Sequence, residues 1–188
     1  MRTDSFRSAH VARGLRAVAL VALTLVVPQP YATSAQSGSP DQDLERTRQR
    51  LEGLFELEEW RADGKVLRPP QVAGRFAIRD GVILFMTVRK DLPVAETVAG
   101  YGTYRIDRQG WTYGYTHLET IRAENEGPLT RTVRPPSSSV LTLQWQGDML
   151  IVIGQGTDRR EYDRDRFTSQ LSGGDYRKWV RIKQVGPQ

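Results

Sequence analysis

Short runs of alternating apolar and polar positions, each ended by a glycine or proline turn, dominate this chain from Leu54 onward. LFELEEWR stops at Ala62-Asp63-Gly64. GRFAIRDGVILFMTVR is two runs joined at Asp80-Gly81, the strongest short-range hairpin signal there is. YGTYRID and WTYGYTHLETIR flank Arg108-Gln109-Gly110, and SSVLTLQWQ and MLIVIGQ flank Gly147-Asp148. TDRREYDR and YRKWVRIKQ supply two more candidate strands. Pro69-Pro70 and Pro135-Pro136 fall between runs, where the missing N–H disrupts no ladder. Eight or nine antiparallel strands at this spacing predict a meander closed into a barrel, since an open sheet of that length leaves two edges uncovered.

One segment keeps a helical period. LERTRQRLEGL carries Leu44, Leu51 and Leu54, with Asp41 or Asp43 as a cap, and predicts a short helix ahead of the strands. QSGSPDQD before it, residues 36–43, reads as a flexible linker. The barrel domain then spans residues 44–185.

The first 35 residues follow another logic. Arg2, Arg7, Arg13 and Arg16 precede the uncharged run AVALVALTLVV, and Thr33 and Ala35 then stand at small-residue cleavage positions. That is the secretory signal pattern, and it predicts a periplasmic or secreted protein. The apolar run is too short to span a bilayer, which needs roughly 20 residues, so no membrane span is expected in the mature chain.

Charge adds little. The chain has 27 basic and 22 acidic residues, but four arginines and Asp4 belong to the leader, which leaves a near-balanced domain. The arginines sit beside acids, as in DRREYDRDR (158–166), which reads as a self-neutralising solvated edge. Nucleic-acid binding, which needs a concentrated basic face, is not expected.

Four places in the chain carry a family resemblance. Gly53-Leu54-Phe55-Glu56-Leu57 with the turn Ala62-Asp63-Gly64-Lys65, the hairpin GRFAIRDGVILFMTVR, the strand AGYGTYRID and the closing Trp179-Val180-Arg181 together resemble the bacterial lipocalin-like proteins of the calycin group. Phe55 stands where that group has tryptophan, and Tyr113 and Tyr115 stand where histidine or aliphatic residues are usual. The resemblance implies a barrel with a small interior cavity, a helix or tail packed at one end, and Arg181 stacked over Phe55.

Catalytic sets are limited by composition. Without cysteine there is no thiol nucleophile, thiolate metal site or disulfide. His117 is the one histidine left after the leader, so a multi-histidine metal site is excluded within one chain and no cofactor is expected. His117 as a heme ligand, Glu58 as a buried acid or base beside Trp60, and Arg75 as a carboxylate anchor are each weaker than their plain surface readings. The expected function is binding of a small, mostly apolar or amphipathic molecule in the barrel. Candidate lining residues are Phe55, Leu57, Phe76, Ile78, Leu84, Met86, Tyr104, Ile106, Leu143 and Trp145, taken as same-face sets within strands. Two alternatives stand beside it. One is a cyclase- or isomerase-type enzyme using Tyr104 or Tyr113 with Arg105; the other is a ligand-free envelope interaction module. Strands apolar on both faces, MLIVIG above all, suggest a homodimer. For the tyrosine hairpin, a three-residue bulged loop is expected, which would turn Tyr104 and Ile106 away from Trp111, Tyr113 and Tyr115.

Overall fold

The computed structural model describes residues 40–92, 94–123 and 127–183. The expected leader and the first half of the expected linker lie outside the described residues. Helix α1 (Pro40–Leu51) begins within the stretch expected as linker, with proline in its first turn and Asp41 and Asp43 near its N-terminus.

The rest is all β. Strands β1 (Gly53–Ala62), β2 (Lys65–Leu67), β3 (Val72–Arg79), β4 (Val82–Arg89), β5 (Ala95–Asp107) and β6 (Gly110–Ala123) form the first half. Strands β7 (Leu129–Arg134), β8 (Ser137–Gln146), β9 (Met149–Ile153), β10 (Arg159–Tyr162), β11 (Arg166–Gln170) and β12 (Tyr176–Arg181) complete it. Ten of them close an antiparallel barrel, while β2 flanks β1 and β7 flanks β6. Closure comes from β12 pairing back on β1, with Phe55 opposite Arg181 and Leu57 opposite Trp179.

The turns follow their residues. Asp63 (φ 53°) and Gly64 (φ 72°), like Asp80 (φ 50°) and Gly81 (φ 78°), have both central positions left-handed, the turn that matches strand twist in two-residue hairpins. At Asp80-Gly81 this fixes the register so that Phe76 opposes Phe85 and Ile78 opposes Ile83. Phe85 and Ile83 are therefore the inward residues of β4.

The tyrosine hairpin corrects the expected loop. Arg108-Gln109 is a two-residue connection, with Tyr104 opposite Tyr113 and Ile106 opposite Trp111. The Asp107 carboxylate accepts from the Gln109 N–H at 2.8 Å, which holds a tight turn with Asp107 and Gly110 still paired. Gly110 also lies so close to β8 that a Cβ would stand 2.2 Å from the Leu141 carbonyl oxygen. Tyr104, Ile106, Trp111, Tyr113 and Tyr115 consequently share the inner face. The pairs Gly102–Tyr115 and Tyr101–His117 leave Thr116 as an extra residue in β6, which turns His117 outward to stack on the exposed Tyr101 at 5.5 Å.

One end of the barrel is sealed by α1. Thr47 and Leu51 are buried, the Trp145 indole N–H donates to Thr47 Oγ1 at 3.3 Å, and the Arg46 guanidinium lies 3.8 Å from the centre of the Trp145 ring. Arg181 fastens the same end. Its guanidinium stands 4.7 Å over Phe55, as the resemblance implies, and donates to the carbonyls of Glu52, Arg50 (2.8 Å) and Arg164 (2.9 Å). Gly53 makes room for it, since a Cβ there would meet Arg181 Nη1 at 2.2 Å. Arg181 thus ties β1, the end of α1 and the β10–β11 turn together.

Candidate functional site

Because α1 covers the end that holds the β8–β9 turn, the other end, where β9 leaves and β10 enters, is the place to look for an opening. The interior there is not filled. A cavity of about 200 Å³ is bounded by Phe76, Phe85, Phe167 and Trp179, by Tyr113 and Tyr115, and by Arg160, Ser169 and Arg177, with Asp158 and Leu171 where β10 begins and β11 ends. Its floor is an aromatic stack: Phe167 lies parallel to Trp179 at 5.6 Å and to Tyr162 at 4.6 Å, and Phe76 meets Phe167 at 5.7 Å. Offset and edge contacts of this kind hold rings rigidly and present an apolar surface.

The wall two residues further along the same strands is polar. Arg160 donates to Tyr113 Oη at 2.7 Å, and its guanidinium stands 5.0 Å from the Tyr113 ring and 5.5 Å from that of Trp111. The Tyr162 hydroxyl is buried beside the same guanidinium without a hydrogen bond of good geometry, and Trp111 Nε1 is likewise buried and unpaired among the described residues. Burial pushes the Tyr162 phenol up to about 12, with the Arg160 charge opposing it, and burial also raises Tyr115, so both are neutral donors near neutral pH. Arg177 rests 3.9 Å over the Trp60 ring, with one amine 3.5 Å from the Asp175 carboxylate. Its buried Nε has no partner among the described residues, and desolvation lowers its pKa.

The ten residues expected to line a cavity divide by level. Phe76 borders it. Phe55, Leu57, Ile78 and Ile106 are buried in the packed core. Tyr104 is drawn to the sealed end, donating to Glu52 Oε1 at 2.6 Å. Leu143 and Trp145 are partly buried against the core, Trp145 under α1. Leu84 (54% exposed) and Met86 (46%) face outward, a correction that follows from the Asp80-Gly81 register.

Other expected chemistry lies outside the barrel interior. Arg105 is exposed and paired with Asp107 at 2.9 Å, so it does not join Tyr104 or Tyr113 as an enzymatic pair. Arg75 pairs with Glu56, both half exposed. His117 stands against Tyr101 with Glu119 3.4 Å away. In β1 a bulge between Leu57 and Glu59 breaks the alternation, so Glu58 turns out to Lys178 (2.6 Å) and Glu59 is the buried carboxylate. Glu59 accepts from Arg61 at 2.7 Å and Arg68 at 2.6 Å, and these bonds, Arg61 first, hold it below the usual carboxylate range.

Arg160 and Arg177 are the residues that sequence reasoning missed. The run DRREYDRDR looked solvated throughout, yet Arg160 and Tyr162 share the inner face of β10 while Arg159 pairs with Glu161 outside it. The available signal was Tyr162 two positions from Arg160 in a strand-like run. A larger hollow of about 620 Å³, lined by Thr103, Arg105, Thr112, Gly114, Pro136 and Ser138 among others, lies open over β5, β6 and β8 and has no enclosed apolar floor. Among the described residues no cluster of three or more His, Asp or Glu is arranged to hold a metal ion, and no helix is long and apolar enough to cross a membrane. No protein-family model matches the chain, nor does any curated protein or solved structure. The closed antiparallel barrel is consistent with the lipocalin-like fold that the sequence resembles.

Proposed function

We propose that this chain is an exported lipocalin-like protein that binds a small, compact, largely apolar molecule in the open half of its barrel. The observation that carries the reading is the aromatic-floored cavity of about 200 Å³ left between Phe76, Phe85, Phe167 and Trp179. Burial of apolar ligand surface there contributes about 25 cal/mol per Å², and the polar wall orients what enters. Typical ligand sites run about 300–1,000 Å³. A cavity below that range favours a single ring system or short chain over a long lipid. With Arg105 outside and Tyr104 tied to Glu52, binding is a better account of the interior than the enzymatic reading.

The test is native mass spectrometry of protein recovered from its own host. The expected result is a co-purified small molecule, lost on denaturation, on a chain lacking the leader. Protein that carries nothing, and that shows no saturable binding of 2-naphthylmethanol by calorimetry, overturns the binding reading. An intact leader on the recovered protein overturns the export.

A further inference from the structure

We infer that the ligand carries a single anionic head, a carboxylate or similar oxyanion, received by Arg160 with the hydroxyl of Tyr113. This rests on the binding reading above and names the class of molecule.

The argument starts from an unbalanced charge. A guanidinium has five N–H donors and stays protonated, and enclosing it without a counter-charge is costly. Yet among the described residues Arg160 has one hydrogen bond, to Tyr113, and no ion pair. The faces of Trp111 and Tyr113 offset part of that cost, but rings do not satisfy N–H donors. The one carboxylate on the cavity wall, Asp158, accepts instead from the Ser172 N–H at 3.1 Å. Arg89, the arginine buried outright among the described residues, holds Asp63 at 3.2 Å and Asp91 at 3.1 Å, and the half-buried Arg181 gives its donors to three carbonyls. Arg160, partly buried, has neither kind of partner set, and it faces the cavity.

Two details set the head's charge and kind. Arg177, the second cation of the wall, is already partly balanced by Asp175, and Asp158 keeps its own charge where β10 begins, so Arg160 is the wall's cation without an ion pair and calls for one anionic group and no more. The Tyr113 hydroxyl, whose oxygen takes the Arg160 bond, keeps its own proton to donate beside the guanidinium. A fork of N–H donors next to a phenol suits two oxygens in one plane. The aromatic floor borders the same cavity two residues along β10 and β11 from Arg160 and Ser169, so the molecule is amphipathic and compact.

The experiment compares 2-naphthoate with 2-naphthylmethanol, which share a ring system and differ in the head, by calorimetry on the wild-type protein. The expected result is naphthoate binding roughly ten- to a hundred-fold tighter, the range for one charge-assisted contact, with the ratio falling toward one in Arg160→Met and partly in Tyr113→Phe. Arg75→Met, which removes an outer-wall arginine paired with Glu56, leaves the ratio unchanged. Equal binding of the two probes to the wild type overturns the anion site while leaving the binding reading intact. Binding of neither overturns both. Should Arg160→Met fail to fold by circular dichroism, the wild-type ratio and Tyr113→Phe still decide the matter. A ratio that survives Tyr113→Phe and Arg160→Lys unchanged also counts against the site.

Discussion

At the residue scale, the fold repeatedly surrounds one charged side chain with a definite set of partners, and Glu59 shows what that does to stability. Its carboxylate is buried, accepts from Arg61 and Arg68, and is held below its usual value of 4.5. A carboxylate depressed by folding contributes stability that is complete above the unfolded value and is lost as pH falls through the folded one. Stability is therefore expected to fall as the medium is acidified below about pH 4.5. Urea midpoints measured from pH 7 to pH 3 check this. Glu59→Gln is expected to lower the midpoint at pH 7 and to flatten its acid dependence, whereas Glu58→Gln, on the exposed neighbour, leaves the acid dependence nearly as it is. Equal slopes for wild type and Glu59→Gln would remove Glu59 as the cause. Alternation counted back from Trp60 points to Glu58, because one extra residue in β1 is invisible to a period of two.

At the scale of elements, glycines decide where strands come together. In the hairpin of β5 and β6, Gly102 and Gly114 bring two backbones so close that a Cβ on Gly102 would stand 1.8 Å from the Gly114 carbonyl oxygen. Backbone cannot retreat as a flexible side chain does, so Gly102→Ala is expected to cost about 3 kcal/mol, the upper part of the usual overpacking range. Gly147→Ala provides the comparison. Gly147 has φ 59° but nothing within 4 Å of an added Cβ, so only the left-handed backbone opposes it, at about 1 kcal/mol. Urea denaturation of both variants checks the order, and equal losses would refute the close-approach account. Strand existence was largely legible from turn chemistry: Asp63-Gly64, Asp80-Gly81 and the proline pairs punctuate the chain where the strands end. Faces were less legible. The Asp80-Gly81 register assigns Phe85 inward and Leu84 outward once its two-residue turn is counted, but the loop at Arg108-Gln109 turned on a hydrogen bond from Gln109 N–H to Asp107 and on the nearness of Gly110 to β8. The hydrogen bond is local, an Asp side chain holding the N–H two residues on, and does not by itself choose the loop length; the nearness of Gly110 to β8 depends on a distant strand. The missed strand β11 (RFTSQ) has Phe167 and Ser169 inward, and its single apolar residue is too few to announce a strand.

At the scale of the whole molecule, the barrel is two unlike halves. The half under α1 is packed with Leu51, Phe55, Ile78, Ile106 and Trp111 and fastened by Arg181, and it supplies the stability that a chain without disulfides must draw from its core. The other half holds a cavity and a partly buried cation without an ion pair, whose desolvation the empty fold offsets only in part. That division was not visible in the sequence, since it depends on which strand of a charged run faces inward at a given level of the barrel. It has a thermodynamic consequence. If Arg160 serves a ligand and not the fold, its removal relieves desolvation that the empty protein offsets only in part, as when buried ionic groups give way to apolar ones of similar volume. Arg160→Met is therefore expected to unfold in urea within about 1 kcal/mol of the wild type or above it, in the absence of ligand. Two losses temper the gain, the bond to Tyr113 and the cation–π contacts, each about 1 kcal/mol. A drop of about 3 kcal/mol or more, the usual consequence of breaking a buried charge pair, would make Arg160 a structural residue of the barrel wall. Adding 2-naphthoate then reverses the order: the wild type gains stability with ligand concentration and the variant gains less, because only a folded state that binds is stabilised by mass action.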